Sequence, residues 1–222
     1  ATEPRWYRVH ETFGEDAALT SRILARLVTG LQGGPVNPRS AVALTIKHFP
    51  GGGPQEGGLD PHYAFGQNQV YPAGRFAEHL RPFQAAIDAG VSAVMPYYGV
   101  PVQVRHQGVD LAPIGFAFNA QVVNDLLRGR MGFRGYVNSD TGIVNDRAWG
   151  LEERSVPERV AAAINGGTDI LSGFSDARTI TALVEGGLVS PARVDEAARR
   201  LLAELFDLGL FENPYVDEAA AT

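Results

Sequence analysis

Asp140, in the segment GFRGYVNSDTG, directly follows a run of apolar and small residues and precedes Thr141-Gly142, which permits a sharp turn. A carboxylate held at the end of a strand suits covalent catalysis, because a nucleophile must be fixed within a fraction of an ångström of the carbon it attacks. An Asp at this position can equally cap a turn or helix, and the motif alone leaves both readings open. In KHFPGGG, Lys47 and His48 stand beside three glycines. Their N–H groups suit neighbouring hydroxyls of a sugar, and the glycines let backbone approach a ligand. The order Gly-x-x-x-x-Gly-Lys-Ser/Thr is absent, which disfavours a phosphate-cradling loop and leaves a plain structural turn as the other reading. Of the 19 basic residues a single one, Lys47, is lysine, so a compact ammonium stands where the chain elsewhere uses the planar guanidinium fork.

Three further groups belong with these. Asp60-Pro61-His62 sets a carboxylate two residues from an imidazole, a pairing for proton transfer if its loop folds over the site and otherwise an ordinary solvated turn. Tyr97 and Tyr98 follow Met95-Pro96 and offer ring faces beside hydroxyl donors, or else core and rim. Arg8, in PRWYR, can grip hydroxyls or orient a carboxylate, or pair with Glu11 or Glu15 at the surface.

The elements that must position these residues alternate. Asp16 caps a helix whose apolar residues Leu19, Ile23, Leu24, Leu27 and Leu31 recur at helical spacing before Gly33-Gly34-Pro35. A buried strand is expected over Ala41 to Ile46, a helix around Glu78 to Ala89, and a strand over Val91 to Met95. A helix from Asn119 to Arg128, a strand from Gly135 to Ser139, a helix from Pro157 to Asn165 and a strand from Thr168 to Leu171 follow. Two helices close the series, near Asp176 to Glu185 and from Ser190-Pro191, before the linker-like GLFENPYVDEAAAT. Short strands that the pattern does not reveal are allowed as well, for example near Leu111 to Ile114. Helices alternating with doubly buried strands define a parallel α/β fold. Barrel behaviour would bring Lys47-His48, Tyr97-Tyr98 and Ser139-Asp140 together at the strand C-termini. About four strand–helix units are visible where a closed (β/α)₈ barrel needs eight, so further polypeptide is expected upstream.

With 222 residues, 45% of them hydrophobic and 20% charged, the composition is that of a globular domain, without a run long enough for a membrane helix. A formal charge of −6 disfavours nucleic acid as a partner, since phosphate binding needs clustered cations. Absence of Cys excludes disulfides, thiolate nucleophiles and Cys-based zinc sites. Localisation and oligomeric state stay open, a homo-oligomer included.

Taken together, PRWYRVHETFGED, KHFPGGG, SAVMPYY, GFRGYVNSD, AAINGGTDI and GLFENPYVD resemble glycoside hydrolase family 3, in the family's order from Pro4 to Val216. The resemblance implies a TIM-like (β/α)₈ barrel, represented here by its C-terminal portion over residues 1–208. Residues 209–222 would be an exit linker toward a second α/β sandwich domain. Asp140 falls on the family's nucleophile, and Arg8, Lys47, His48 and Tyr98 fall on its sugar-gripping positions. No metal or organic cofactor is implied. Gly51-Gly52-Gly53 replaces the Gly-Asp-Gly of many members, and the insertion through Gln55 to His62 is expected to reshape the rim of the site.

The activity so implied is a retaining exo-β-glycosidase releasing terminal β-D-glucosyl residues from small oligosaccharides or β-glucosides. Its acid/base would be a Glu of the second domain. Three alternatives remain: a β-N-acetylglucosaminidase using Asp60 and His62 as acid/base, a lyase forming an imine on Lys47, and a noncatalytic sugar-binding fragment.

Overall fold

The computed structural model of the protein describes residues 2–40 and 42–219. Its centre is a parallel sheet of β1 (Thr45–Phe49), β3 (Ala93–Pro96) and β7 (Tyr136–Val137), in that spatial order. Thr45 pairs with Ala93 and Ile46 with Val94, while Ala93 and Val94 pair in turn with Tyr136 and Val137. A single parallel bridge from Asn138 to Ile170 continues the series. The protein is thus α/β with parallel strands, as the alternation of elements implied. Two smaller ladders lie beside it: β2 (Asn68–Gln69) with β4 (Val100–Pro101), and the hairpin of β5 (Arg105–His106) and β6 (Val109–Asp110).

Local chemistry explains the helices. α1 (Ala17–Leu27) starts where an Asp16 side-chain oxygen accepts the N–H groups of Ala18 and Leu19 at 2.7 and 2.9 Å. It widens into a π-type turn over Val28–Gln32 and closes on left-handed Gly33. α2 (Phe76–Asp88) packs on α1 and sends Phe83 edge-on against Phe49 of β1 at 5.2 Å. A π-type helix covers Gln121–Arg130. α3 (Val156–Gly166) opens with a capping box between Ser155 and Glu158. α4 (Ala177–Glu185) and α5 (Pro191–Asp207) are capped by Asp176 and Ser190. The core lies between sheet and helices, where Phe49, Val94, Val122, Leu127, Val137 and Val160 are fully enclosed. Beyond α5 the chain to residue 219 has no regular structure, and Tyr215 and Val216 project into solvent. Residues 220–222 of the expected linker lie outside the described residues.

Two expected strands and the allowed one differ from the structure. The first was expected over Ala41 to Ile46, but Ala41 lies outside the described residues and the ladder begins only at Thr45. The Leu44 N–H is taken by the buried Gln32 side chain at 2.9 Å, so a side-chain amide replaces strand pairing there. Residues Thr168 to Leu171 form one bridge instead of a strand. A carboxylate oxygen of Asp169 accepts the Val137 N–H at 2.9 Å, which takes a backbone donor out of the ladder. The segment Leu111 to Ile114 is irregular, because Ala112 bonds the side chains of Gln121 and Asn119.

Asp169 is fully buried and receives Arg128 at 2.6 Å, Arg193 at 2.8 Å and Arg200 at 3.0 Å. Burial, only partly opposed by Asp169, lowers the Arg128 pKa to about 10. Removing the charge from such a cluster leaves guanidinium groups buried and unpaired. Asp169→Asn is therefore expected to destabilise the fold by about 3–5 kcal/mol. Loss of the exposed cap in Ser155→Ala should cost only about 1 kcal/mol. Urea denaturation of both variants checks the contrast, and equal losses would contradict it.

Candidate active site

The C-terminal ends of β1, β3 and β7 carry the polar residues, and backbone bonds hold those ends together. Tyr97 N–H donates to the Phe49 carbonyl at 2.8 Å, and Asn138 N–H donates to the Val94 carbonyl at 3.2 Å. Asp140 follows directly. Its Oδ1 accepts the Thr141 N–H at 2.8 Å, and its Oδ2 lies 3.3 Å from His48 Nε2. The chain then turns at Gly142, whose φ is +77° and where a Cβ would come within 2.9 Å of both Asp146 and Arg147. Tyr98 donates its hydroxyl to the Thr141 carbonyl at 2.7 Å, and the Arg147 guanidinium lies 5.3 Å from the centre of the Tyr98 ring.

These contacts set the charges. Burial raises the Asp140 pKa, but His48, the Thr141 N–H and Tyr98 together outweigh it and hold the carboxyl at about 2. Burial lowers the His48 pKa, with Lys47 and Arg8 adding to that direction against the pull of Asp140. At neutral pH the pair is an ionised carboxylate beside a neutral imidazole. An ionised carboxylate only accepts, so the imidazole proton belongs on the Nε2 that faces it. Burial also raises the Tyr98 phenol well above its ordinary range, which keeps it a neutral donor.

The other sequence candidates are placed unevenly. Lys47 lies inside β1, beyond neither end of it, and is exposed along a cavity shared with Arg8, His48 and Gly51 to Gly53. Arg8 forks onto Glu11 with bonds of 3.1 and 2.6 Å, the surface pairing its spacing allowed. It nevertheless stays within electrostatic reach of His48, Tyr97 and Tyr98. Asp60 and His62 do fold back: their side chains meet at 2.7 Å, and the His62 ring stands edge-on to Tyr98 at 5.0 Å.

Sequence reasoning passed over Trp6, Arg147 and Trp149, and left Tyr97 between core and rim. Tyr97 proves fully buried, 4.6 Å from the His48 ring and edge-on to Trp6 at 6.4 Å. Trp149 donates its indole N–H to the Pro61 carbonyl at 2.7 Å, tying the loop after Asp140 to the Asp60–His62 loop. The available signal was position alone, since Arg147 and Trp149 lie in the loop that follows the Asp140 strand.

Residues 1–203 match the model of the Glycosyl hydrolase family 3 N terminal domain, and the chain belongs to that family. It is 44% identical over its whole length to "Probable beta-glucosidase C" of Aspergillus flavus, of which it covers 36%. It is 34% identical to a "Periplasmic beta-glucosidase/beta-xylosidase" of Dickeya chrysanthemi, again over its whole length and 37% of that protein. Among solved structures, a β-glucosidase from Listeria innocua in complex with glucose superposes with a TM-score of 0.80. The identity there is 29%, over 96% of this chain and 28% of the other. The chain thus spans little more than a third of the length of these two curated relatives.

Replacing His48 with Phe removes the largest influence that lowers the Asp140 pKa and leaves burial in place. The Asp140 pKa is then expected to rise by about one unit or more. At pH 3 the carboxylate that is mostly charged in the parent would be about half protonated or more in His48→Phe. Carboxyl ¹³C NMR titration reads the shift directly, and an unchanged Asp140 midpoint would show that His48 does not hold the charge.

Proposed function

We propose that this chain is the C-terminal portion of the (β/α)₈ barrel of a retaining exo-acting β-glucosidase, with Asp140 as nucleophile. Residues 1–208 would belong to the barrel and 209–222 to a linker toward a second α/β sandwich domain. The observation that carries the reading is the Asp140 carboxylate fixed just past the end of β7, accepting the Thr141 N–H at 2.8 Å and lying 3.3 Å from His48 Nε2. The names of the relatives, proteins longer than this chain, support the same reading.

In this proposal the carboxylate attacks the anomeric carbon as the glycosidic C–O bond breaks, and a general acid gives the leaving oxygen its proton. Water then cleaves the glycosyl ester and the configuration is retained. A carboxylate with so low a pKa is a weaker base but a better leaving group, which favours the second step. His48 orients it, and Arg8, Lys47 and Tyr98 grip hydroxyls of the terminal glucose. For Arg8 this means sharing its fork between Glu11 and the sugar.

The acid/base of the family resemblance is a Glu of the second domain, and a retaining pair should stand about 5–5.5 Å apart. A second reading rests on the 2.7 Å contact of Asp60 with His62 and on the His62 ring against Tyr98. There the dyad itself transfers the proton, as in a β-N-acetylglucosaminidase.

The test is incubation of the intact polypeptide with an activated 2-deoxy-2-fluoro-β-glucoside, followed by peptide-mapping mass spectrometry. A label on Asp140 is the expected result. Asp140→Ala should lose on the order of 10⁴-fold in kcat, the scale seen when an attacking group is removed. Turnover with Asp140 unlabelled and replaceable would overturn the assignment.

A further inference from the structure

The rim loop holds a feature that the chemistry above leaves unused. Tyr63 and Phe65 are 57% and 67% exposed, yet their rings lie stacked at 5.3 Å with only 6° between their planes. We propose that this pair is a binding platform for the leaving-group side of the substrate, a sugar or aryl ring carried on the scissile oxygen. The proposal rests on the glycosidase reading.

The loop that presents the pair is braced against the site. Tyr63 N–H donates to the Asp60 carbonyl at 3.1 Å, and Gly66 N–H donates to the Tyr63 carbonyl at 2.9 Å. Gly66 lies so close to the Asp60 carbonyl that any Cβ would collide with it, so the loop closes tightly only with glycine there. Pro61 is bonded to Trp149 of the nucleophile's loop, and His62 lies against Tyr98. A platform braced in this way loses little freedom when a ligand settles on it.

The neighbouring chemistry suits a sugar ring. Flat ring faces take the apolar C–H face of a pyranose or the face of an aryl group, while the Asp60–His62 pair offers polar partners for hydroxyls at the edge. Tyr7, also more than half exposed, lies beside Asp60: burial first and then that carboxylate raise its pKa.

The experiment uses the intact polypeptide with Asp140→Ala to stop turnover, and measures calorimetric Kd values for glucose and cellobiose with and without Tyr63→Ala plus Phe65→Ala. Cellobiose affinity is expected to fall about tenfold, the scale of 1.4 kcal/mol, while glucose binding and Tm stay unchanged. Equal loss for both sugars, or no loss for either, would overturn the platform. A fall in Tm with sugar binding intact would also overturn it, by showing that another part of the polypeptide covers the pair. In the otherwise wild-type protein the double substitution should raise KM for an aryl β-glucoside and leave β-glucosyl fluoride, which lacks a leaving-group ring, unaffected. If the wild-type protein hydrolyses neither substrate, the glycosidase reading falls first and takes the platform with it.

Discussion

One buried carboxylate organises the half of the molecule that carries Asp140. Asp169 accepts three guanidinium groups and the Val137 N–H, so helices that share no strand pairing with one another converge on a single side chain. Such a cluster is weak evidence for stability, because each ion gives up its water, but it is strongly directional. Val137 is the last residue of β7, and Asp140 stands three residues beyond it. The register of β7, and with it the placement of Asp140, therefore depends on the salt-bridge centre at Asp169.

Gln32 serves the same purpose on the other side of the sheet. Its buried amide donates to the carbonyls of Gly34 and Gly90 at 2.5 and 2.6 Å and accepts from Leu44 and Ser92 at 2.9 and 3.2 Å. It joins the end of α1 to the starts of β1 and β3. Strands of two to five residues provide few ladder bonds, and a buried donor or acceptor left unmade costs more than a made one contributes. Gln32 completes, just before β1 and β3, what the short ladders leave unpaired. The strand ends are then free to carry chemistry, the division of labour common to parallel α/β folds.

This explains which parts were legible in the sequence. Helices were read well because their signals are local: Asp16 and Ser190 cap where they stand, and the helices expected near Asp176 and Pro157 begin beside those residues. Strand bounds were read less well because Gln32 and Asp169 replace backbone partners from a distance, and no window of neighbouring residues contains that information. In the site, Asp140, His48 and Tyr98 were legible as polar residues after apolar runs, and the structure brings them together. Arg147 and Trp149 were not, since their contacts with Tyr98 and Pro61 reach across more than 45 residues of chain.

The site is consequently one mechanical unit assembled from separate loops. Trp149 bonds the rim loop at Pro61, His62 of that loop leans on Tyr98, and Tyr98 donates to the carbonyl of Thr141, the residue that follows Asp140. Arg147 closes the circuit by stacking over Tyr98 and donating to the same Thr141 carbonyl at 3.3 Å. A displacement of the rim thus reaches the Asp140 backbone through two contacts instead of being absorbed in a flexible loop. Contacts made by the remote part of a ligand can then be felt at the carboxylate, which is what coupling binding energy to positioning at a reacting atom requires.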